Sequence, residues 1–220
     1  MKRCVIIGIS DRREQWFSPE IAAAISSGNV FSGGRRHHEI MDRYLPDGYQ
    51  WIDITIPLHG VFENYQQYDD IVIFASGDPL FYGFASTIQR ECPDCDITVY
   101  PTFNSLQKLA HRLNLPYQDI RYTSLTGRPW DKFDEALIRG ERLIGVLTDK
   151  NKTPQAIWER MKTYGYTNYR LFVGEKLGNE YEEHVGLFER EKEYVNPNCI
   201  ILERTSIKQK YFGIPDDQFN

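Results

Sequence analysis

The stretch "IVIFASGDPLFYG", residues 71–83, decides how this chain folds. An unbroken apolar run rich in branched side chains ends abruptly at Ser-Gly-Asp-Pro. By its length and branching, such a run reads as a buried strand. Gly77 lets the backbone turn sharply and lets a ligand approach. Pro79 pushes Asp78 out of the helical region and suits the first turn of a helix. Asp78 is therefore expected to cap a helix beginning near Leu80. It is also expected to stand at the carboxyl end of a strand, where open α/β sheets bind their ligands. There its carboxylate would meet a hydroxyl or a cation, with the Gly77 backbone exposed beside it.

The flanking sequence repeats the pattern. "RCVIIGIS" (3–10), "NVFSGG" (29–34) and "CDITVYP" (95–101) read as further strands. Between them lie helical segments. "SPEIAAAISSG" (18–28) has Ser18 as cap and Pro19 at the first helical position, and it closes at Gly28. "LFYGFASTIQREC" (80–92) and "NSLQKLAHRLNL" (104–115) have apolar residues at helical spacing, the latter capped by Asn104 or Ser105. This alternation predicts a mostly parallel sheet covered on both faces. The second half differs. After the strand "ERLIGVLTD" (141–149) and the helix "TPQAIWERMKTYGY" (153–166), "NYRLFVGEKLG", "EEHVGLFER" and "CIILERT" are strands with no helix between them, which favours antiparallel pairing. The predicted fold class is α/β, in two α/β domains: residues 1–115, residues 116–206, and a tail or linker over residues 207–220.

The 220 residues suffice for two such domains, and 41% hydrophobic content supports real cores. A net charge of −5 argues against nucleic-acid binding, which calls for a basic footprint. No apolar run approaches the ~20 residues of a membrane span, and the opening residues read as a strand and not a signal peptide. A cytoplasmic location is the resulting expectation. The four cysteines include one C-x-x-C, "CPDC" (92–95), expected to be a turn after a helix. A structural zinc site needs four ligands, so no metal is expected. Cys4 and Cys199 sit in apolar runs and read as core.

Two other loops carry chemistry. "GIS" (8–10) lacks the G-x-G-x-x-G of dinucleotide sites, which weakens a nucleotide-linked oxidoreductase. "SGGRRHH" (32–38) sets two glycines, two arginines and two histidines at a strand end. Guanidinium forks match carboxylates, so this loop predicts a polycarboxylate or phosphate ligand inside an acidic protein. His37 and His38 would diverge on a helix or a strand.

The segments "GGRRHHE", "ASGDPLFYG", "PTFNSLQ", "SLTGR", "VLTDKNKTP" and "EKLGNEYEE" fall in the order found in the tetrapyrrole methylases. Over residues 3 to about 205 the chain resembles that family. Within it, the chain is most similar to the branch that methylates the corrin ring at C5, the amino-terminal part of the precorrin-6Y C5,15-methyltransferases. The resemblance implies two α/β domains with S-adenosylmethionine in the cleft between them. It implies that Ile9, Asp78, Phe81, Ser105, Leu106, Leu147 and Leu177 line the methyl-donor site. Arg35 and Arg36 are expected at the acetate and propionate groups of the tetrapyrrole, with His37 beside them. His37, His38 and Asp149 are candidates for accepting the proton that leaves the ring. A homodimer is expected. So is C5 methylation without the C15 methylation and decarboxylation credited to a following domain, with "YFGIPDDQF" (211–219) resembling the join to it. The chain departs from the family pattern at Ser10 and Thr126, where glycine and histidine are expected, and at Asn104, where serine is usual. Rival readings are a methylase of this family acting on another position or substrate, and a non-catalytic module binding an anionic ligand.

Overall fold

A computed structural model describes residues 1–206. They form two compact units that divide between Asn104 and Ser105.

The first unit holds five strands: β1 (Arg3–Ile9), β2 (Val30–Gly33), β3 (Gln50–Asp53), β4 (Asp70–Ser76) and β5 (Asp96–Tyr100). All pair in parallel, in the order β3-β2-β4-β1-β5. Four helices cross between them: α1 (Pro19–Ser26), α2 (Arg35–Met41), α3 (His59–Tyr65) and α4 (Phe84–Glu91). The strand order makes the chain reverse direction across the sheet after β3. Right-handed crossovers then put α1 and α2 on one face and α3 and α4 on the other. The cores agree. Ile25 and Met41 pack with Ile7, Ile9, Phe31 and Phe74, whereas Val61, Tyr65, Ala85 and Ile88 pack with Cys4, Ile6, Ile71 and Ile73. Alternate residues of β1 and β4 thus face opposite cores, and the continuous apolar runs of both strands follow from that.

The second unit begins with helix α5 (Ser105–Arg112) and continues through β6 (Ile120–Ser124), α6 (Asp131–Ile138), β7 (Leu143–Leu147), α7 (Pro154–Thr163), β8 (Tyr169–Glu175), β9 (His184–Leu187) and β10 (Asn198–Arg204). Its sheet runs β6-β7-β10-β8-β9. Only β6 and β7 are parallel; β10 is antiparallel to both β7 and β8, and β9 to β8. Phe133 and Leu137 of α6 and Ile157 and Met161 of α7 cover one face. On the other face Leu106 and Leu109 of α5 reach over Gly145 and Gly174. Because α5 packs on β7, β8 and β10, the units divide before it, not after residue 115 as the sequence suggested.

Three local expectations need correction. The helix after β4 starts at Phe84 with Gly83 as its cap, not near Leu80. Tyr82 at φ 54° and the extended Gly83 interrupt any helix there. Asp78 therefore caps a turn: its Oδ1 accepts from the Leu80 N–H at 2.9 Å. The strand β3 with helix α3, and the strand β6 with helix α6, were not anticipated; "QWID" is four residues long and polar at both ends, "IRYTS" is short with polar residues interleaved, and α6 opens on charged residues. Ser18 and Thr153 cap the helices that follow them. Ser18 accepts from the Ile21 N–H at 3.4 Å, and Thr153 accepts from the Ala156 N–H at 3.2 Å. The expected tail lies outside the described residues.

Candidate functional site

Five parallel strands place all their carboxyl ends on one edge of the first sheet. The loops leaving β1 and β4 go to opposite faces, so a crevice opens between these neighbours, the position where open α/β sheets bind ligands. The β4 loop is pinned across the end of β1. Gly77 N–H donates to the Ile9 carbonyl at 2.9 Å, and the Gly77 carbonyl accepts from the Thr102 N–H at 3.2 Å. A Cβ on Gly8 would lie 1.9 Å from the Gly77 oxygen, and Gly77 itself holds φ 65°. Both positions therefore require glycine. Asp78 is carried to the crevice on this turn. Its Oδ2 has no protein partner among the described residues, which suits a ligand hydroxyl or cation. Ile9 is buried at the end of β1 and Phe81 is half-buried in the turn. Ser10 shapes the β1 loop: its N–H donates to Gln15 Oε1 and its carbonyl accepts from Gln15 Nε2, each at 3.1 Å.

The arginine pair divides. Arg35 points outward, 92% exposed, to an ion pair with Glu39 one helical turn on. Arg36 turns into the crevice. Its Nη2 donates to Ser76 Oγ at 2.9 Å and meets Asp11 Oδ1 at 3.2 Å. His37 joins the same serine, with Nε2 2.9 Å from Ser76 Oγ. Its Nδ1 accepts from the Gly34 N–H at 3.2 Å, which fixes the tautomer with the proton on Nε2. Burial, and then the adjacent Arg36 charge, push the His37 pKa down to about 4, against an opposing hydrogen bond to the Phe74 backbone. The ring is neutral at physiological pH. Ser76, Asp11 and Gln15 had no signal in the sequence; only the sheet order, which brings β4 between β1 and β2, reveals them.

His38 diverges from His37 as expected. It stacks on Trp51 with centroids 4.1 Å apart, and its Nε2 lies 2.7 Å from the Tyr49 hydroxyl. It is a packing residue. Asp149 is likewise committed. Its carboxylate accepts from the Lys152, Asn151 and Gly127 N–H groups at 2.7, 2.8 and 3.1 Å. The Lys152 N–H leads in holding its pKa down, against burial and helped by the other two. Neither His38 nor Asp149 is placed as a free base, and both ring nitrogens of His37 are engaged.

In the second unit Ser105 is exposed at the start of α5. Leu106 is fully buried over Gly145, which leaves only its backbone for a ligand. Leu147 ends β7. Leu177 is buried in the turn after β8, between Lys176 at φ 45° and Gly178 at φ 96°. Lys108 donates to its carbonyl at 3.4 Å.

Among the described residues no group of histidine, cysteine and carboxylate side chains is arranged to hold a metal, and no helix is long and apolar enough to cross a membrane. Cys92 and Cys95 form a turn after α4, and Cys4 and Cys199 are buried with their thiol pKa values pushed up by burial. A cavity of ≈ 320 Å³, lined by Arg3, Ser27, Asn29 and Asp70, lies at the amino-terminal edge of the first sheet, opposite the crevice.

The fold and site define an open-sheet α/β protein whose polar chemistry gathers at a topological switch point. The chain belongs to the Tetrapyrrole (Corrin/Porphyrin) Methylases, whose family model matches residues 3–191. Enzymes of this family use S-adenosylmethionine. A precorrin-6Y C(5,15)-methyltransferase [decarboxylating] from Sinorhizobium sp is 30% identical over 176 residues, covering 79% of this chain and 42% of that protein. The chain thus spans less than half of that relative. A cobalt-precorrin-7 C(5)-methyltransferase from Salmonella typhimurium is 24% identical, covering 80% of this chain and 86% of that protein. Among solved structures, the precorrin-6Y methylase from Archaeoglobus fulgidus superposes with TM-score 0.65 at 20% identity, over 92% of this chain and 98% of that one. A uroporphyrin-III C-methyltransferase from Thermus thermophilus, complexed with S-adenosylhomocysteine, gives 0.67 at 15% identity, over 91% and 92%. These structural likenesses bear on the fold.

Proposed function

We propose that this chain transfers a methyl group from S-adenosylmethionine to C5 of a precorrin-type tetrapyrrole, a step in cobalamin biosynthesis. The observation that carries the substrate class is the carboxyl edge of the first sheet. Large apolar side chains stand exposed on its loops: Trp16 at 95%, Ile56 at 93%, and Leu80 and Phe103 at about half. Arg12, Arg13, Arg35 and Arg36 are interleaved with them. A flat apolar ring rimmed by carboxylates has this same combination of needs.

The donor brings an already electrophilic methyl, so the protein is asked chiefly for alignment, a proximity effect worth several kcal/mol. The Gly77–Asp78 turn fits that task. Its backbone is fixed by two hydrogen bonds to β1 and the following loop, and it offers one free carboxylate oxygen. Donor contacts by Ser105, Leu106, Leu147 and Leu177 rest on the family pattern. Since His37, His38 and Asp149 are all engaged, His37 is assigned to positioning and not to proton removal. The C5 position is supported by the Salmonella protein, most of whose length this chain covers.

Calorimetric titration with S-adenosylhomocysteine tests the donor; absence of heat with folded protein removes it. Incubating donor and precorrin and weighing the product tests the reaction. One added methyl is expected, located at C5 by carbon NMR. A methyl at another ring position would favour the alternative of a sister enzyme in the same family.

A further inference from the structure

Arg36 has five N–H donors, and the two on Nη2 are taken by Ser76 and Asp11. Its Nε and Nη1 have no protein partner among the described residues, and its side chain is 43% exposed. A carboxylate that binds a guanidinium through two parallel bonds needs Nη2 together with either Nε or Nη1. Asp11 already occupies one of the Nη2 positions. Ser76 presents a complementary case. Its oxygen receives Nη2 of Arg36 and Nε2–H of His37, which fills both acceptor positions. Its own hydroxyl proton is then left to point at a third group. His37, neutral and with Nδ1 held by the Gly34 N–H, keeps this arrangement in a single tautomer.

We propose that Asp11 is an internal stand-in for a ligand carboxylate: the ligand replaces it on Nη2 of Arg36, and Ser76 donates its hydroxyl proton to the incoming group. Asp11 keeps the cation paired while the crevice is empty and sets a threshold that a monoanion at low concentration does not cross. A ligand bearing several carboxylates, held also by its apolar ring, does cross it. The inference deepens the tetrapyrrole reading and rests on it for the identity of the carboxylate.

The stand-in makes two variants move in opposite directions. Binding of an octacarboxylic porphyrin, and of the same ring with its carboxyls as amides, is followed by fluorescence on the full chain. Ser76→Ala should weaken the octacarboxylate about tenfold, as expected for a lost hydrogen bond to a charged group. Ser76→Thr should restore it. Asp11→Asn should tighten it at least roughly threefold by removing the competing charge, and should leave the amide unchanged. Asp94→Asn, in the turn at the opposite edge, controls for net charge. The inference is overturned if Asp11→Asn weakens the octacarboxylate, if Asp94→Asn tightens it equally, or if Ser76→Ala has no effect. If the wild type binds neither porphyrin, the tetrapyrrole reading falls. The stand-in is then decided by an acetate titration on the Arg36 Nε–H resonance. A shift that grows in Asp11→Asn supports it, and no shift in either protein refutes it.

Discussion

Three carboxylates in the second unit, Asp149, Glu175 and Glu183, are taken up by its own loops. Asp149 accepts three backbone N–H groups. Glu175, almost wholly buried, pairs with Lys192 and His184 and accepts from the Val195 N–H at 2.8 Å. Glu183 joins Arg112 of α5 to the Gly178 N–H. Burial works against its charge, but those two partners hold its pKa down. In the first unit the side chains at the sheet edge keep open capacity: one oxygen of Asp78, two nitrogens of Arg36 and the proton of Ser76. The contrast follows from topology. A parallel sheet sends every loop from one edge into a helix, so side chains there have few neighbouring loops to bind. A mixed sheet also returns through irregular strand-to-strand connections, whose backbone N–H groups need acceptors, as Gly178 and Val195 find in Glu183 and Glu175; Asp149 meets the same need in the β7–α7 loop. The second unit is braced, and the first is left able to recognise something.

Breaking the pinned crevice should give the largest effect. Gly8→Ala forces a Cβ into the Gly77 carbonyl and should cost about 3 kcal/mol in urea unfolding, with loss of S-adenosylhomocysteine binding. Gly60→Ala, in helix α3 with nothing within 4 Å, should stabilise by about 0.5 kcal/mol. Equal effects would show that the close approach is not a constraint. Next comes the brace. Glu175→Gln should cost about 2 kcal/mol by leaving Lys192 uncompensated. It should also speed hydrogen exchange at the Val195 amide; unchanged exchange there would mean the loop is held by other contacts.

The pH response sharpens the comparison. The folded pKa of His37 lies near 4, below the ordinary value of about 6.5. The unfolded chain therefore binds the proton first. The contribution of the neutral ring to stability is complete above about pH 6.5 and is lost as pH falls towards 4. Imidazole NMR should give a midpoint near 4 for His37, and His37→Gln should flatten that part of the stability profile. A midpoint near 6.5 would place the ring in solvent. The smallest effect belongs to Arg35. Its exposed pair with Glu39 predicts a change below about 0.5 kcal/mol for Arg35→Ala, and a larger loss in thermal unfolding would mean that the pair supports α2.

Continuous apolar strands and helices with strong caps were legible because burial on two faces and Pro or Ser at a helix start leave direct marks in sequence. The runs at β1 and β4 and the helices after Ser18 and Thr153 are cases. β3 and β6 were not, being short strands at sheet edges with only two apolar residues each. The Asp78 turn misled because its Asp-Pro pair is also a good helix start; the positive φ at Tyr82 has no sequence signature in a tyrosine. The cluster of basic residues at the end of β2 was legible, but not the division of labour within it. Which arginine turns inward depends on Ser76 and Asp11, forty and twenty-five residues away along the chain, brought near only by the strand order.

The order of the strands also fixes when each sheet can close as the chain is made. β1, the first strand of its sheet to be synthesised, sits in the interior of that sheet between β4 and β5, and so waits for residue 100 before both of its edges are covered. β10, the last strand among the described residues, lies between β7 and β8. Until it emerges, the second unit is two separate ribbons, β6–β7 and β8–β9, with their inner edges unpaired. The first unit can finish while the second is still being translated, and the second must close in one late event across long sequence separations, the class of step that is slow. A ribosome paused before Asn198 would therefore carry one finished unit and two exposed strand edges, and those edges are where a chaperone would be needed.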